Sequence, residues 1–375
     1  MKKEFNIICA LLITSLLAIG SCAYIKKIYN PDELRLLILR KAPEGGSEQI
    51  VIPYEINDEI RNMAIETTKG MFAKREKMFA LLYKILSKRD INLQYDEFIT
   101  NTAIETYKSG RGNCLSFTNL LVGMARAIGI DAFYVEVLKE GEYNLIEGLV
   151  VNQRHICVGY EWGAKVELVD FSVDAKKYLG YRTLNDVEAM ANYLNNLGYD
   201  YLQNKKIDEA IKTFRLAVSI CPTFTWGYNN LAVALSRKND MEGALQNYEK
   251  AISLDPSYEA PYGNIASLYL NFGEKEKAAK YLDFLDRIKS KNPYQHISRA
   301  IMLKEQKEPQ KALNELKTAI SLDSKNLRAR IEIAELYISM GEPNLAAHHL
   351  KKALKLDPDD EEAKQLIESL KTNPN

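Results

Sequence analysis

Five cysteines, four histidines and two tryptophans in 375 residues leave few candidates for thiol or imidazole chemistry. An excess of one charge is lacking as well: 50 Lys and Arg balance 50 Asp and Glu. A neutral chain gives no electrostatic reason to bind nucleic acid, whose phosphates need a surplus of basic side chains. There is no glycine-rich phosphate loop, no CxxC pair and no HExxH helix, so neither a cofactor nor a metal is expected. What remains is ordinary globular composition, 46% hydrophobic and 27% charged, long enough for two or more domains with a real core.

The first residues read as an export signal. Lys2 and Lys3 precede the apolar run "FNIICALLITSLLAIG", which ends in "IGSC". The run is short for a spanning helix. The "IGSC" ending resembles the bacterial lipobox, whose cysteine becomes the lipidated first residue of the mature chain. That resemblance makes 1–21 a lipoprotein signal peptide and Cys22 the lipidation site. Ala23 in place of an aspartate then resembles outer-membrane sorting in a two-membrane bacterium, with the protein facing the periplasm. The competing reading is an uncleaved signal anchor in which Cys22 is incidental. With Cys9 removed and Cys22 lipidated, Cys114, Cys157 and Cys221 remain, an odd number that leaves at least one thiol unpaired.

The second half is periodic. Ala210, Ala244, Ala278, Ala312 and Ala346 are each 34 residues apart. Phe214, Tyr248, Leu282, Leu316 and Leu350 follow in step, as do Ala217, Ala251, Leu285, Ala319 and Ala353, while Gly198, Ala232, Ala266, Ala300 and Ala334 precede. Pro222, Pro256 and Pro358 close three of the units. Small residues let two antiparallel helices approach, large ones fill the gaps, and proline stops the helix. This pattern resembles the tetratricopeptide repeat. Five units are expected over 191–360, with 361–375 a capping helix and tail. Gly273 and Gly341 fall between paired helices, where a positive φ is useful; Lys205 and Lys307 hold the equivalent places. Arg299 takes a place usually apolar. Such repeats carry no chemistry and leave a concave surface for a protein or peptide, or for self-association.

Residues 22–54 read as a connector in which "PDELRLLILRKA" forms a short helix. The stretch 57–86 has helical spacing, and 131–171 changes to short β-branched and aromatic runs separated by Gly and Asn. Helices followed by consecutive antiparallel strands indicate an α+β domain, here 55–185.

Within it, "SGRGNCLSF" places Cys114 at the start of a helix whose stripe is Phe117, Leu120, Leu121, Met124, Ala125 and Ile128, with Gly129 as its end. Unpaired N–H groups and the helix dipole favour a thiolate there. Gly112 allows close approach by backbone or substrate. Downstream, a turn centred on Trp162 and Gly163 sets His155 directly opposite Asp170 on one sheet face. The aspartate then fixes the imidazole tautomer and leaves the other ring nitrogen for the thiol, the nucleophile–base–orienter logic of a cysteine triad. A slip of one residue would break the arrangement.

Here "TAIETYKSGRGNCLSFTNLLVGMARAIGIDAFYVEV", followed by His155 and Asp170 in order, resembles the transglutaminase-like superfamily over roughly 55–180. The resemblance implies papain-type chemistry: Cys114 as nucleophile, His155 as general base and acid, Asp170 as orienting carboxylate, and the first N–H groups of the cysteine helix as part of an oxyanion site. It departs from the family at Leu115, where an aromatic or acidic residue is common, and at Trp162, which falls in the turn. Gln94 and Asn101 are the upstream candidates for an oxyanion side chain. The expected fold is thus an α+β transglutaminase-like (papain-like) domain followed by an all-α tetratricopeptide-repeat superhelix. The expected function is a lipid-anchored cysteine enzyme forming a thioester and passing the acyl group to water, more than to an amine. A non-catalytic envelope scaffold is the alternative, and a redox pair of Cys114 and Cys157 a third. Cys157 is otherwise a small buried residue and Cys221 core. His348 and His349 point apart as a metal pair, and His296, Trp226 and Tyr228 read as packing residues.

Overall fold

The structure is a computed structural model and describes residues 12–13, 28–42, 50–96, 99–139, 144–146, 149–151, 155–171, 178–287 and 293–372. Cys22 and all of the export signal except Leu12–Ile13 lie outside them. The chain forms two compact units, one of 1–142 with 152–234, the other of 143–151 with 235–375.

In the first unit, helix α1 (Pro31–Lys41) starts with an Asn30 capping box and buries Leu34 and Ile38. These join Ile50, Ile52 and Tyr54 in the main core, so the stretch read as a connector is packed structure. Helices α2 (Asp58–Thr67), α3 (Lys74–Leu86) and α4 (Ala103–Ser109) lead to α5 (Cys114–Ala127), whose first twelve residues are all buried. A short parallel pair joins β2 (Gln94–Tyr95) to β3 (Arg111–Gly112).

Five strands, β1 (Leu12–Ile13), β4 (Phe133–Lys139), β7 (His155–Trp162), β8 (Lys165–Val169) and β9 (Tyr178–Leu184), form a sheet in the order β1-β8-β7-β4-β9. Alternation sorts its side chains. Tyr134, Ile156, Val158 and Tyr160 enter the main core, while Phe133, Val135, Val137, Cys157 and Leu168 form a smaller cluster. Strand β9, which the pattern of the sequence does not announce, brings Arg182 to the fully buried Glu136 of β4, at 2.8 Å.

The same unit continues into α6 (Asp186–Gln203), α7 (Ile207–Ile220) and most of α8 (Thr225–Arg237). Ala189, Met190, Tyr193, Leu194, Ala217, Ile220 and Phe224 share the core of the α+β domain. The first repeat is therefore built into that domain. Gly198 has no room for a side chain, since a Cβ would stand 2.6 Å from the Phe214 ring.

The second unit holds the hairpin β5 (Asn144–Ile146) and β6 (Leu149–Val151), the last residues of α8, and the remaining helices. These are α9 (Met241–Leu254), α10 (Glu259–Asn271), α11 (Lys275–Arg287), α12 (Pro293–Glu305), α13 (Pro309–Leu322), α14 (Leu327–Ser339), α15 (Pro343–Leu356) and α16 (Glu361–Thr372). From α8 onward, first helices begin every 34 residues, and so do second helices from α7 onward. Every alanine of the two periodic small-residue columns is fully buried. Arg299 is accommodated by donating to the Leu282 carbonyl at 3.1 Å. Helix α16 buries Ala363 and packs Leu366, Ile367 and Leu370 on the last repeat. The inter-helix corner takes a positive φ in all five repeats, at Lys205, Asn239, Gly273, Lys307 and Gly341, whatever residue stands there.

Candidate active site

Cys114 is the first residue of α5, and the two residues before it make that start possible. Asn113 is the N-cap; its carboxamide oxygen accepts the Ser116 N–H at 3.0 Å. The amides of Cys114 and Leu115 are the first two of the helix, where no intrahelical carbonyl reaches them. Gly112 leaves room for the Ser116 side chain: a Cβ there would stand 2.4 Å from the Ser116 Cβ. Leu115, the departure from the family pattern, is fully buried in the main core. It faces away from the chemistry and bears on packing.

His155 is the first residue of β7 and Asp170 follows the last residue of β8. The imidazole Nε2 lies 2.8 Å from both carboxylate oxygens. This contact survives a register different from the expected one. The turn is centred on Gly163 and Ala164; Trp162 is the last residue of β7 and pairs with Lys165, not a turn residue. The ladder ends at Val158 opposite Val169. One step further, the same register sets Asp170 against Cys157, so His155 and Asp170 are diagonal neighbours. Moving the turn centre by one residue displaces the pairing by two, and an even displacement keeps every side chain on its face. Diagonal partners on one face are still within reach of long side chains.

With Nε2 engaged by Asp170, the other ring nitrogen is the one left for Cys114, which hydrogen-bonds the imidazole and also receives the Ile156 N–H. Burial pushes the Cys114 thiol up, but the charge and hydrogen bond of His155 and the Ile156 N–H outweigh it, and its pKa is lowered. Burial opposes the charged imidazole too, yet the thiolate and Asp170 raise His155 to about 10. The two shifts run in the directions that favour a thiolate–imidazolium pair, beside a carboxylate that is itself almost wholly buried. The Thr118 hydroxyl, one turn along α5, lies 2.8 Å from the Cys114 carbonyl and 3.1 Å from that of Ile156, so it can tie the helix start to β7.

The side-chain amides of Gln94 and Asn101 are engaged with other partners. The Gln94 amide donates to Asn92, and the Asn101 amide to Ser109 Oγ and the Arg111 carbonyl. Cys114, Cys157 and Cys221 are all buried and unbridged. Cys157 lies among Phe133, Val135 and Leu168, and Cys221 in the main core. His296 pairs with Glu315 at 2.7 Å, and the rings of His348 and His349 meet edge-on. Trp226 packs on the main core and meets Phe224 edge-on. Among the described residues no group of three or more His, Cys, Asp or Glu side chains comes together to hold a metal.

Residues 61–170, which include this whole centre, match the transglutaminase-like superfamily, and 191–224, 225–258 and 303–370 match tetratricopeptide repeats. The chain carries a transglutaminase-like domain followed by tetratricopeptide repeats. Similar solved structures are repeat proteins. A thermophilic TPR protein of Thermus thermophilus is 23% identical over 48% of this chain and 98% of its own, with a TM-score of 0.45. PilF of Pseudomonas aeruginosa is 18% identical over 50% of this chain and 92% of its own, at 0.39. MamA of Desulfovibrio magneticus RS-1 is 14% identical over 46% and 97%, at 0.34. No curated protein matches the chain. The repeat models pass over 259–302, yet the helices there keep the 34-residue step. Tetratricopeptide repeats generally mediate protein–protein interaction.

Proposed function

We propose that the transglutaminase-like domain is a cysteine acyl-transfer enzyme acting on a carboxamide or peptide carbonyl, with hydrolysis as its main outcome. The observation that carries this reading is the line of Cys114, His155 and Asp170, with the imidazole hydrogen-bonded to the carboxylate and lowering the thiol. The Cys114 sulfur adds to the carbonyl carbon, and the oxyanion is met by the first amides of α5. The C–N bond then breaks as the imidazolium gives its proton to the leaving amine, leaving a thioester. Neutral His155 next takes a proton from water, whose oxygen attacks the thioester, and the thiolate is released. An amine in place of water would give crosslinking.

The repeats recruit a protein or peptide on their concave face. Lys2, Lys3 and the "IGSC" stretch support export and lipid anchoring at Cys22, on an outer membrane facing the periplasm. The decisive test is iodoacetamide labelling at neutral pH: Cys114 reacts faster than Cys157 or Cys221, and His155→Ala slows it. Equal slow labelling of all three would remove the enzymatic reading. A Cys114→Ala chain that fully complements a deletion would leave a peptide-binding scaffold in its place. No fatty-acid label on the wild-type chain, with mobility unchanged by Cys22→Ser, would refute the anchor.

A further inference from the structure

We propose that α6, the first helix of the repeat array, is a splint for the nucleophile, and that Asp200 is the positioning residue at its active-site end. The proposal rests on the reading of Cys114 as the nucleophile. The tetratricopeptide pattern explains Gly198 and Tyr201 on this helix but gives no reason for a half-buried carboxylate between them.

The carboxylate is occupied by the loop that caps the cysteine helix. Asp200 Oδ2 accepts the Thr100 N–H at 3.2 Å, and the neighbouring Thr100 hydroxyl favours the charged carboxylate, whose Oδ1 is buried without a hydrogen-bond partner. Thr100 Oγ1 accepts from Asn113 Nδ2 at 2.9 Å, and Asn113 Oδ1 accepts the Ser116 N–H. The direction of this chain matters. An ionised carboxylate only accepts, so it draws the Thr100 hydroxyl proton toward itself. Thr100 then offers Asn113 a lone pair, which holds the carboxamide with its NH₂ toward Thr100 and its oxygen toward the helix amides. A reversed Thr100 hydroxyl would favour the flipped amide, which sets NH₂ against the Ser116 N–H and uncaps the helix one residue from Cys114. The loop is stapled further by Asn113 N–H to the Ile99 carbonyl at 2.9 Å and Asn101 N–H to Ser116 Oγ at 2.7 Å.

The far end of α5 is held by the same helix. Asp186, the first residue of α6, receives both terminal nitrogens of Arg126 at 2.8 and 3.0 Å, and the Tyr29 N–H at 2.9 Å. Arg126 is in the last turn of α5. The two helices thus run in opposite senses, pinned at both ends by carboxylates about 21 Å apart along α6. A chain cut at the repeat boundary would lose Asp200 and with it the hold on the cap.

The test compares full-length wild type, Asp200→Ala and Asp200→Asn by hydrogen exchange and by the rate of Cys114 alkylation. Asp200→Ala should raise exchange at the Ser116 amide about tenfold or more, with β4 amides unmoved, and slow alkylation about tenfold. Asp200→Asn, which keeps an acceptor for the Thr100 N–H, should recover most of both. Unchanged Ser116 exchange in folded Asp200→Ala, or an equal rise over the whole core, overturns the splint. If wild-type Cys114 itself is no faster than the other thiols, the enzymatic reading fails, while the exchange measurement still decides the splint.

Discussion

Replacing His155 by alanine should remove most of the reactivity of Cys114 at neutral pH and little of it at high pH. A thiol at its ordinary value of 9.0 is only about 1% ionised at pH 7. Burial pushes the Cys114 thiol above that value once the imidazolium is gone, so the ionised fraction in His155→Ala falls below about 1%. In the wild type the charge and hydrogen bond of His155 lower the thiol and raise the share of sulfur present as thiolate. The alkylation rate at pH 7 should therefore drop about tenfold or more, the worth of one charge-assisted hydrogen bond, and the gap should close as pH rises. The sign for the partner is opposite. His155 is raised on folding, so its stabilising charge is fully present below 6.5 and lost as pH climbs through about 10. Alkylation, which needs only thiolate, should plateau through that range, whereas acyl turnover, which needs imidazolium to protonate the leaving amine, should fall above it. Second-order rates with iodoacetamide from pH 5 to 10, resolved by peptide mass, measure this directly. A His155→Ala rate within threefold of wild type at pH 7, or parallel profiles for the two proteins, would refute the ion pair.

Gly112→Ala should cost about 1–3 kcal/mol in urea unfolding and slow Cys114 alkylation, because its Cβ meets the Ser116 Cβ rather than a flexible side-chain end; adding Ser116→Gly should recover part of the rate. Lys307→Gly and Lys205→Gly should each stabilise the protein by about 0.5–1 kcal/mol in the same assay, since both lysines hold a φ near +60° that glycine takes without strain. Burial, with the charge of Asp96 added, raises Asp200 to about 6 despite the Thr100 N–H and hydroxyl, which favour its charged form. Asp96 is itself paired with Arg111. A raised carboxyl contributes stability that is complete below 3.8 and lost as pH rises through about 6. Asp200 should thus make the protein less stable at pH 7.5 than at pH 4 by up to about 3 kcal/mol, and Asp200→Asn should remove that part of the pH dependence.

The repeats were legible because every unit repeats one steric demand. Where two helices touch, only a small residue fits, and the alanine columns announce that contact without help from neighbouring units. The corner between helices shows the limit of such reading. A lysine at 205 or 307 looks like a weak match, yet the backbone goes left-handed there because the flanking helices fix it. The α+β domain was legible for a different reason. The triad needed only parity, and parity is robust: the hairpin turn lies one residue beyond the expected place, the ladder shifts by two, and His155 still shares a face with Asp170. What could not be read is whatever depends on a partner distant in the chain with no period to mark it. Strand β9 gains its place only by pairing with β4 about 45 residues earlier, so "YLGYRTL" carries no signal of its own. Asp186 and Asp200 look like solvated charges of a repeat helix until Arg126 and Thr100 are set against them. The same blindness hides what the first repeat packs against. Periodicity and the family match both place 191–224 among the repeats, yet its buried surface and Asp200 also serve the domain that holds Cys114. A repeat read from sequence as a place for partners is, in this chain, also part of the support for the nucleophile.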